Sequence, residues 1–318
     1  MSISKDLKKI LFCGLESGGK TSILLILDKK FSLLPTVKPT IKAKRTIHPN
    51  SLLGTTIVRW DLGGQKNYRK IYLGDKSKYF TEMQSIFYVI DIQASDKFDE
   101  SLIFLKDIIA ITTETQLDNF QILILLHKFD PDIKNDKEII RKVNYLENKV
   151  SSIAKEVKFS IFKTSIYDES SLLKAFSDGA FYATHKSKMF EALLKDYMSK
   201  TFNSSLLLLD QNCFIIASRT TNIAYQEICE AIAPRLTQAL EKLEEWEIDT
   251  IDIVTNVEFP EKRSELQKEG IIFLRKLEIS NRRFYLIALC LNKKVKIKAY
   301  EYLPLLAENL KNLLESFD

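Results

Sequence analysis

Gly14-Leu15-Glu16-Ser17-Gly18-Gly19-Lys20-Thr21 matches the G-x-x-x-x-G-K-[ST] pattern of a phosphate-binding loop. An apolar run, Ile10-Leu11-Phe12-Cys13, precedes it, and a second runs from Ile23 to Leu27. Those flanks predict a strand, a tight turn and a helix, the context in which the pattern has a mechanism. Glycines let successive backbone N–H groups converge on a phosphate, and the following helix adds the positive end of its dipole. Gly14, Glu16, Ser17, Gly18, Gly19 and Ser22 are candidates to line such a site. Lys20 is placed to reach β- and γ-phosphates, and the Thr21 hydroxyl to hold Mg²⁺. The stretch implies a nucleoside-triphosphate site.

Outward from the loop, the chain to about residue 182 alternates strand-like and helix-like segments. Strands are predicted over Lys8–Cys13, Ile41–His48, Thr55–Trp60, Ser85–Ile90, Gln121–Leu126 and Lys158–Phe162. Helices are predicted over Thr21–Lys29, Phe98–Ile111, Asp136–Lys155 and Ser170–Tyr182. The fold class is α/β, with a mainly parallel six-stranded sheet covered on both faces. Ligands of such sheets sit at the carboxyl ends of the strands.

Three further motifs fall just after predicted strands. Asp61-Leu62-Gly63-Gly64-Gln65 follows the third. Asp61 is a candidate for Mg²⁺ through its water shell, Gly64 for a backbone contact to a γ-phosphate, and Gln65 for orienting an attacking water. His127-Lys128-Phe129-Asp130 follows the fifth and is a variant of the guanine-reading N-K-x-D. Asp130 would accept from guanine N1–H and N2–H₂, a donor pair adenine lacks, and the Lys128 stem would lie along the base. Thr164-Ser165-Ile166 follows the sixth, where the Ile166 N–H can reach guanine O6. Between the first helix and the second strand, Pro35-Thr36-Val37-Lys38-Pro39-Thr40-Ile41 offers two threonines to complete a Mg²⁺ shell with Thr21 and Asp61. Thr40 is chosen because it abuts the strand, and Thr36 is the alternative.

Together these motifs resemble a Ras-superfamily small GTPase over residues 5 to about 183. The phosphate loop is similar to the Arf type, with its acidic third residue Glu16, and Trp60-Asp61-Leu62-Gly63-Gly64-Gln65 suits both Arf and Rag. His127-Lys128-Phe129-Asp130, the stretch Phe162 to Glu169 and the length from Asp61 to Asp91 favour the Rag/Gtr type. Two departures are Lys42, where Arf proteins have glycine, and the lack of an N-terminal membrane helix. The resemblance implies a GTPase that binds GTP or GDP with Mg²⁺ and turns over slowly until a partner acts. It also implies exchange and activating factors. A non-cycling nucleotide-binding half of a dimer is the alternative; His127 leaves it open and Gln65 argues against it.

Beyond about residue 185 the order becomes αββαβββα. Lys188–Lys200 is helical, and Ser204–Leu209 and Cys213–Arg219 form a hairpin about Gln211-Asn212. Asn222–Trp246 is a long helix, with Ile223, Ile228, Ile232, Leu236, Ala239 and Leu243 expected to cover a sheet. Ala224, Ala231, Ala233 and Leu240 are expected on another face. Thr250–Glu258, Gly270–Ile279 and Arg283–Asn292 are strands, the last two joined through Ser280-Asn281-Arg282, and Lys296–Leu314 is a final helix. This order resembles a roadblock domain, an α+β unit with a five-stranded antiparallel sheet. The division expected is therefore residues 1–184 for the G domain and 185–318 for a dimerisation domain, forming a homo- or heterodimer.

Composition excludes several other classes. The 318 residues are 45% hydrophobic and 28% charged, and the net charge of +5 is spread along the chain, which argues against a nucleic-acid surface. No apolar run is long enough to span a bilayer. Neither a signal peptide nor a lipidation motif is read at the ends, so membrane attachment is expected only through a partner. Cys13, Cys213, Cys229 and Cys290 form no C-x-x-C pair and read as buried hydrophobes of a reducing, cytoplasmic setting.

Overall fold

Near-continuous apolar strands, flanked by amphipathic helices, dictate how the first half of the chain folds. The computed structural model describes residues 7–52, 55–114, 120–181, 185–201, 203–259, 269–279, 282–291 and 293–316. The chain divides into two compact units, Met1–Tyr182 and Ala183–Asp318.

In the first unit, β1 (Leu7–Gly14), β2 (Ala43–Leu52), β3 (Thr55–Leu62), β4 (Met83–Asp91), β5 (Gln121–His127) and β6 (Phe159–Thr164) form one sheet in the order 2-3-1-4-5-6. Only β2 and β3 pair antiparallel; every other neighbour is parallel. All seven residues of β5 are buried, as a strand covered on both faces requires. One face packs on α4 (Phe98–Glu114) and α5 (Lys137–Ile153), through Leu105, Ile108, Leu146 and Val150. The other lies under α1 (Lys20–Leu27) and α6 (Glu169–Phe181), where Phe12, Phe87 and Phe176 stack in succession. Gly179 makes that closeness possible, since a Cβ there would sit 2.3 Å from the Phe87 ring. The order reverses at β1, between β3 and β4, and the crevice at their carboxyl ends is where such sheets bind ligands.

The stretch between β3 and β4 folds into two short helices, α2 (Lys66–Gly74) and α3 (Lys76–Phe80). Neither was assigned as a helix from the sequence: Tyr68, Ile71 and Tyr72 recur at helical spacing, but over too few turns to show a period. Tyr72, Tyr79 and Phe80 anchor the pair in the core. Residues Phe31–Thr36 form a 3₁₀ turn with no buried side chain.

The second unit is a five-stranded antiparallel sheet ordered β8-β7-β11-β10-β9. Its strands are β7 (Ser205–Asp210), β8 (Ile215–Thr220), β9 (Asp252–Glu258), β10 (Glu269–Ile279) and β11 (Arg282–Cys290). Helices α7 (His185–Thr201) and α9 (Lys293–Glu315) pack together on one face, tied by the Tyr197 hydroxyl to the Ala299 carbonyl at 2.6 Å. Helix α8 (Ile223–Glu245) covers the other, with the Asn222 side chain capping its first turn. This is the arrangement expected of a roadblock-like unit. The hairpin loop at 211–214 is held by the Asp210 carboxylate, which accepts from the Asn212 and Phe214 amides. Ser280 and Asn281 lie outside the described residues.

One expectation for α8 is corrected. Tyr225, Cys229, Ala233, Thr237 and Leu240 face the sheet; Ile228, Ile232 and Leu236 are only partly buried beside them, while Ile223 and Ala239 are exposed. The isoleucines and leucines mark a hydrophobic stripe in the sequence, but the row that meets the sheet is rotated from it and mixes sizes, with Cys229, Ala233 and Thr237 between Tyr225 and Leu240. Ala233 and Leu240 therefore belong to the core, not to a second face. All four cysteines are buried and none is in a disulfide. Among the described residues no helix is long and apolar enough to cross a membrane.

Candidate functional site

The loop after β1 turns on residues that tolerate left-handed backbone. Gly14 has φ 135°, Ser17 φ 60° and Gly19 φ 91°. Glycine is required at two of them, since a Cβ on Gly14 would sit 2.3 Å from the Val89 carbonyl oxygen and one on Gly19 2.6 Å from the His127 ring. Lys20 opens α1, is 6% exposed, and its ammonium donates to the Leu15 carbonyl at 2.7 Å and the Gly14 carbonyl at 3.2 Å. Burial holds its pKa below the ordinary lysine value, against the pull of Asp61.

Thr21, Thr40 and Asp61 meet at one corner. The Thr21 hydroxyl donates to Asp61 Oδ2 at 2.8 Å, the Thr40 hydroxyl donates to the same oxygen at 2.9 Å, and the two hydroxyls are 2.9 Å apart. Asp61 Oδ1 is buried with no hydrogen-bond partner among the described residues. Burial raises the pKa of Asp61, and the hydrogen bond from Thr21 opposes that shift. Thr36 is not brought to this corner; its hydroxyl donates to the Leu33 carbonyl.

A cleft of about 330 Å³ opens beside the corner, lined by Glu16 to Ser22, Val37 to Thr40, Gly63 to Gln65, and Lys128. Gly64 presses against the phosphate loop so closely that a Cβ would lie 2.2 Å from the Glu16 nitrogen. Gln65 stands at the start of α2, with its Oε1 buried and without a hydrogen-bond partner among the described residues. Of the arginines near the cleft, Arg59 is paired with Asp28 and Arg69 with Glu100, while the Arg69 Nε donates to the Gly64 carbonyl at 3.0 Å. Arg45 is exposed on β2.

A second cluster forms where β4, β5 and β6 end. His127 is 1% exposed, its Nδ1 lies 3.0 Å from the Thr164 hydroxyl, and its ring lies against Gly19. Burial pushes its pKa down to about 4, and neighbouring Lys128 adds to the shift. Asp130 Oδ1 accepts from the Ser165 hydroxyl at 2.5 Å, and its Oδ2 accepts from Gln93 Nε2 at 3.2 Å. Ser165 also accepts from the Tyr167 amide, and Ile166 lies half-buried in the same turn. The cleft lining includes Lys128 but not Asp130, Ser165 or Ile166. Two members were missed by sequence reasoning. Asp91 pairs with Lys128 at 2.6 Å, and Gln93 bonds both Asp130 and the Lys128 carbonyl. The only signal for them was their place at the end of a strand; the register that sets Asp91 beside His127 is tertiary information.

This sheet, this loop and these strand-end motifs define a Ras-like G domain. The Gtr1/RagA G protein conserved region matches residues 9–238, and the chain belongs to that family. GTP-binding protein GTR1 of Saccharomyces cerevisiae is 25% identical over 219 residues, spanning 67% of this chain and 69% of that protein. ADP-ribosylation factor-like protein 3 of the same yeast is 26% identical over 148 residues, 44% of this chain and 70% of its own. The structure of the Arl6 BBS3 small GTPase from Trypanosoma brucei, bound to GppNp, covers 54% of this chain and 94% of its own at 16% identity, with a TM-score of 0.39.

Proposed function

We propose that the chain is a guanine-nucleotide switch that binds GTP or GDP with Mg²⁺ and hydrolyses GTP slowly until a partner protein adds charge. The observation that carries this reading is the Thr21–Thr40–Asp61 corner. Two hydroxyls and a buried carboxylate whose second oxygen has no partner are a hard-oxygen donor set that suits Mg²⁺. Bound there, Mg²⁺ would neutralise charge developing on phosphate oxygens. Lys20 would hold the β- and γ-phosphates, and an anion beside it together with a cation beside Asp61 would reverse both burial-driven pKa shifts. Thr40 is the residue that senses the γ-phosphate, and Thr36 is left to its 3₁₀ turn.

Asp130 reads guanine, and Gln93 and Ser165 hold its carboxylate in orientation. Gln65 orients the attacking water. Both inner arginines are engaged by acidic partners, which favours slow intrinsic turnover, on the order of 10⁻⁴–10⁻² s⁻¹. The C-terminal unit is the dimerisation module, exchange and activating factors set the nucleotide state, and the protein works in the cytoplasm, meeting membranes through partners.

A competition titration and single-turnover hydrolysis test the reading. GTP and GDP should bind far more tightly than ATP. Gln65→Leu should keep GTP affinity while hydrolysis slows, because water placement counts mainly in the transition state. Equal GTP and ATP affinity would sink the guanine reading. Parent-rate hydrolysis by Gln65→Leu would remove Gln65 from its role and favour the non-cycling partner instead.

A further inference from the structure

Lys42, two residues beyond Thr40, has φ 54°, a left-handed backbone that a residue with a side chain enters only at a steric cost. The conformation turns its carbonyl inward, where two donors meet it. The Gly63 N–H donates to it at 2.7 Å and the Tyr72 hydroxyl donates to it at 2.6 Å. Gly63 belongs to the motif that begins at Asp61, and Tyr72 belongs to α2. Tyr72 is 1% exposed and its ring meets Tyr79 edge-on, so the hydroxyl is held at one place. The Thr40 carbonyl also passes so close to Gly63 that a Cβ there would lie 2.5 Å from it.

We infer that the Lys42 carbonyl, gripped by Tyr72 and Gly63, is the joint that couples the Thr40 segment to α2 and so places Thr40 on the Thr21–Asp61 corner. The inference rests on the proposed guanine-nucleotide function and adds two positioning residues to it. Ile41 is 75% exposed, so its side chain does not hold this segment down, and beside the Thr40 hydroxyl's own bond to Asp61 the Lys42 carbonyl is the anchor that ties it to α2. A triphosphate gains from a placed Thr40 and a diphosphate does not. The coupling therefore reads out as discrimination between the two.

The test uses the full chain with Mg²⁺ and compares affinity for GDP and for a non-hydrolysable GTP analogue, together with the melting temperature of the GDP form. Tyr72→Phe keeps the ring and removes one buried hydrogen bond, so the triphosphate-to-diphosphate affinity ratio should fall roughly 3- to 10-fold with the GDP-form melt little changed. Lys42→Asn should retain the ratio, because asparagine tolerates left-handed backbone, and Lys42→Val should lower it, because a β-branched residue does not. A Tyr72→Phe ratio equal to the parent's overturns the inference, whatever happens to the melt. Equal losses in Lys42→Asn and Lys42→Val also overturn it, since they would assign the effect to the ammonium and not to the carbonyl. A parent that binds no guanine nucleotide overturns the functional reading itself, a result distinct from variants that discriminate as well as a discriminating parent.

Discussion

His127 stands where a guanine-reading loop ordinarily begins with asparagine, and its ring bridges two loops that are far apart in the chain. One side of the ring meets Gly19 of the phosphate loop, and Nδ1 meets Thr164 beside the Asp130 cluster. An imidazole in that space must stay neutral, and burial lowers its pKa from 6.5 to about 4. Between those values the unfolded chain binds a proton that the folded chain does not. Stability therefore rises with pH across that window and is lost as pH falls through it. His127→Asn should flatten the dependence of melting temperature on pH between about 6.5 and 4 relative to the parent. Identical slopes would show that His127 does not carry this titration. At this scale Asp61, Asp130 and Lys20 stood out as candidates in the sequence because their residue types sit at fixed spacings from glycines and strand ends. Asp91 and Gln93 were not, because a polar residue after an apolar strand looks like any strand end until β4 and β5 are set side by side.

At the scale of elements, the contact of Gly64 with the phosphate loop decides how α2 meets the site. A Cβ at Gly64 would lie 2.2 Å from both the Glu16 nitrogen and the Leu15 carbonyl carbon, backbone atoms that cannot step aside cheaply. Gly64→Ala should push the start of α2 off the loop and draw Gln65 with it. Hydrolysis should slow by roughly tenfold or more, the equivalent of one lost hydrogen bond to a charged group, about 1.5–3 kcal/mol. GDP affinity should change much less. Single-turnover rates beside GDP affinities check this, and parent-rate hydrolysis would show that α2 can reach its place by another route. The central strands β1, β4 and β5 were legible because parallel strands covered on both faces read as continuous apolar runs. Helices α2 and α3 were not, since five to nine residues carry too few helical turns to show a period.

For the whole molecule, the second unit leaves apolar surface uncovered. Ile223 and Trp246 at the ends of α8 are 60% and 63% exposed, and Ile248, Ile251 and Val254 are exposed on the way into β9. β8 and β9 are the two edges of its sheet. Exposed apolar groups beside an edge strand are what a second chain would cover. The full chain should therefore run as a dimer in light scattering, alone or with a related chain, and Trp246→Glu with Ile251→Glu should reduce its mass to that of a monomer. A monomeric parent, both alone and with a related chain at high concentration, would end the dimerisation role.

What the sequence determined by itself was whatever depends on local order: the phosphate loop, the strand-end motifs, the alternation that makes a parallel sheet, and the change of pattern near residue 185. Each is written in neighbouring residues, through glycine's freedom, side-chain chemistry and hydrophobic period. Only the tertiary structure decided which threonine reaches Asp61, since Thr36 and Thr40 carry the same chemistry four residues apart and the path of the chain separates them. It likewise decided which face of α8 is core. Hydrophobicity ranks isoleucine above cysteine and alanine, but the rotation of the helix on the sheet buries Cys229 and Ala233 together with Tyr225 and Leu240 and leaves Ile228, Ile232 and Leu236 at the margin.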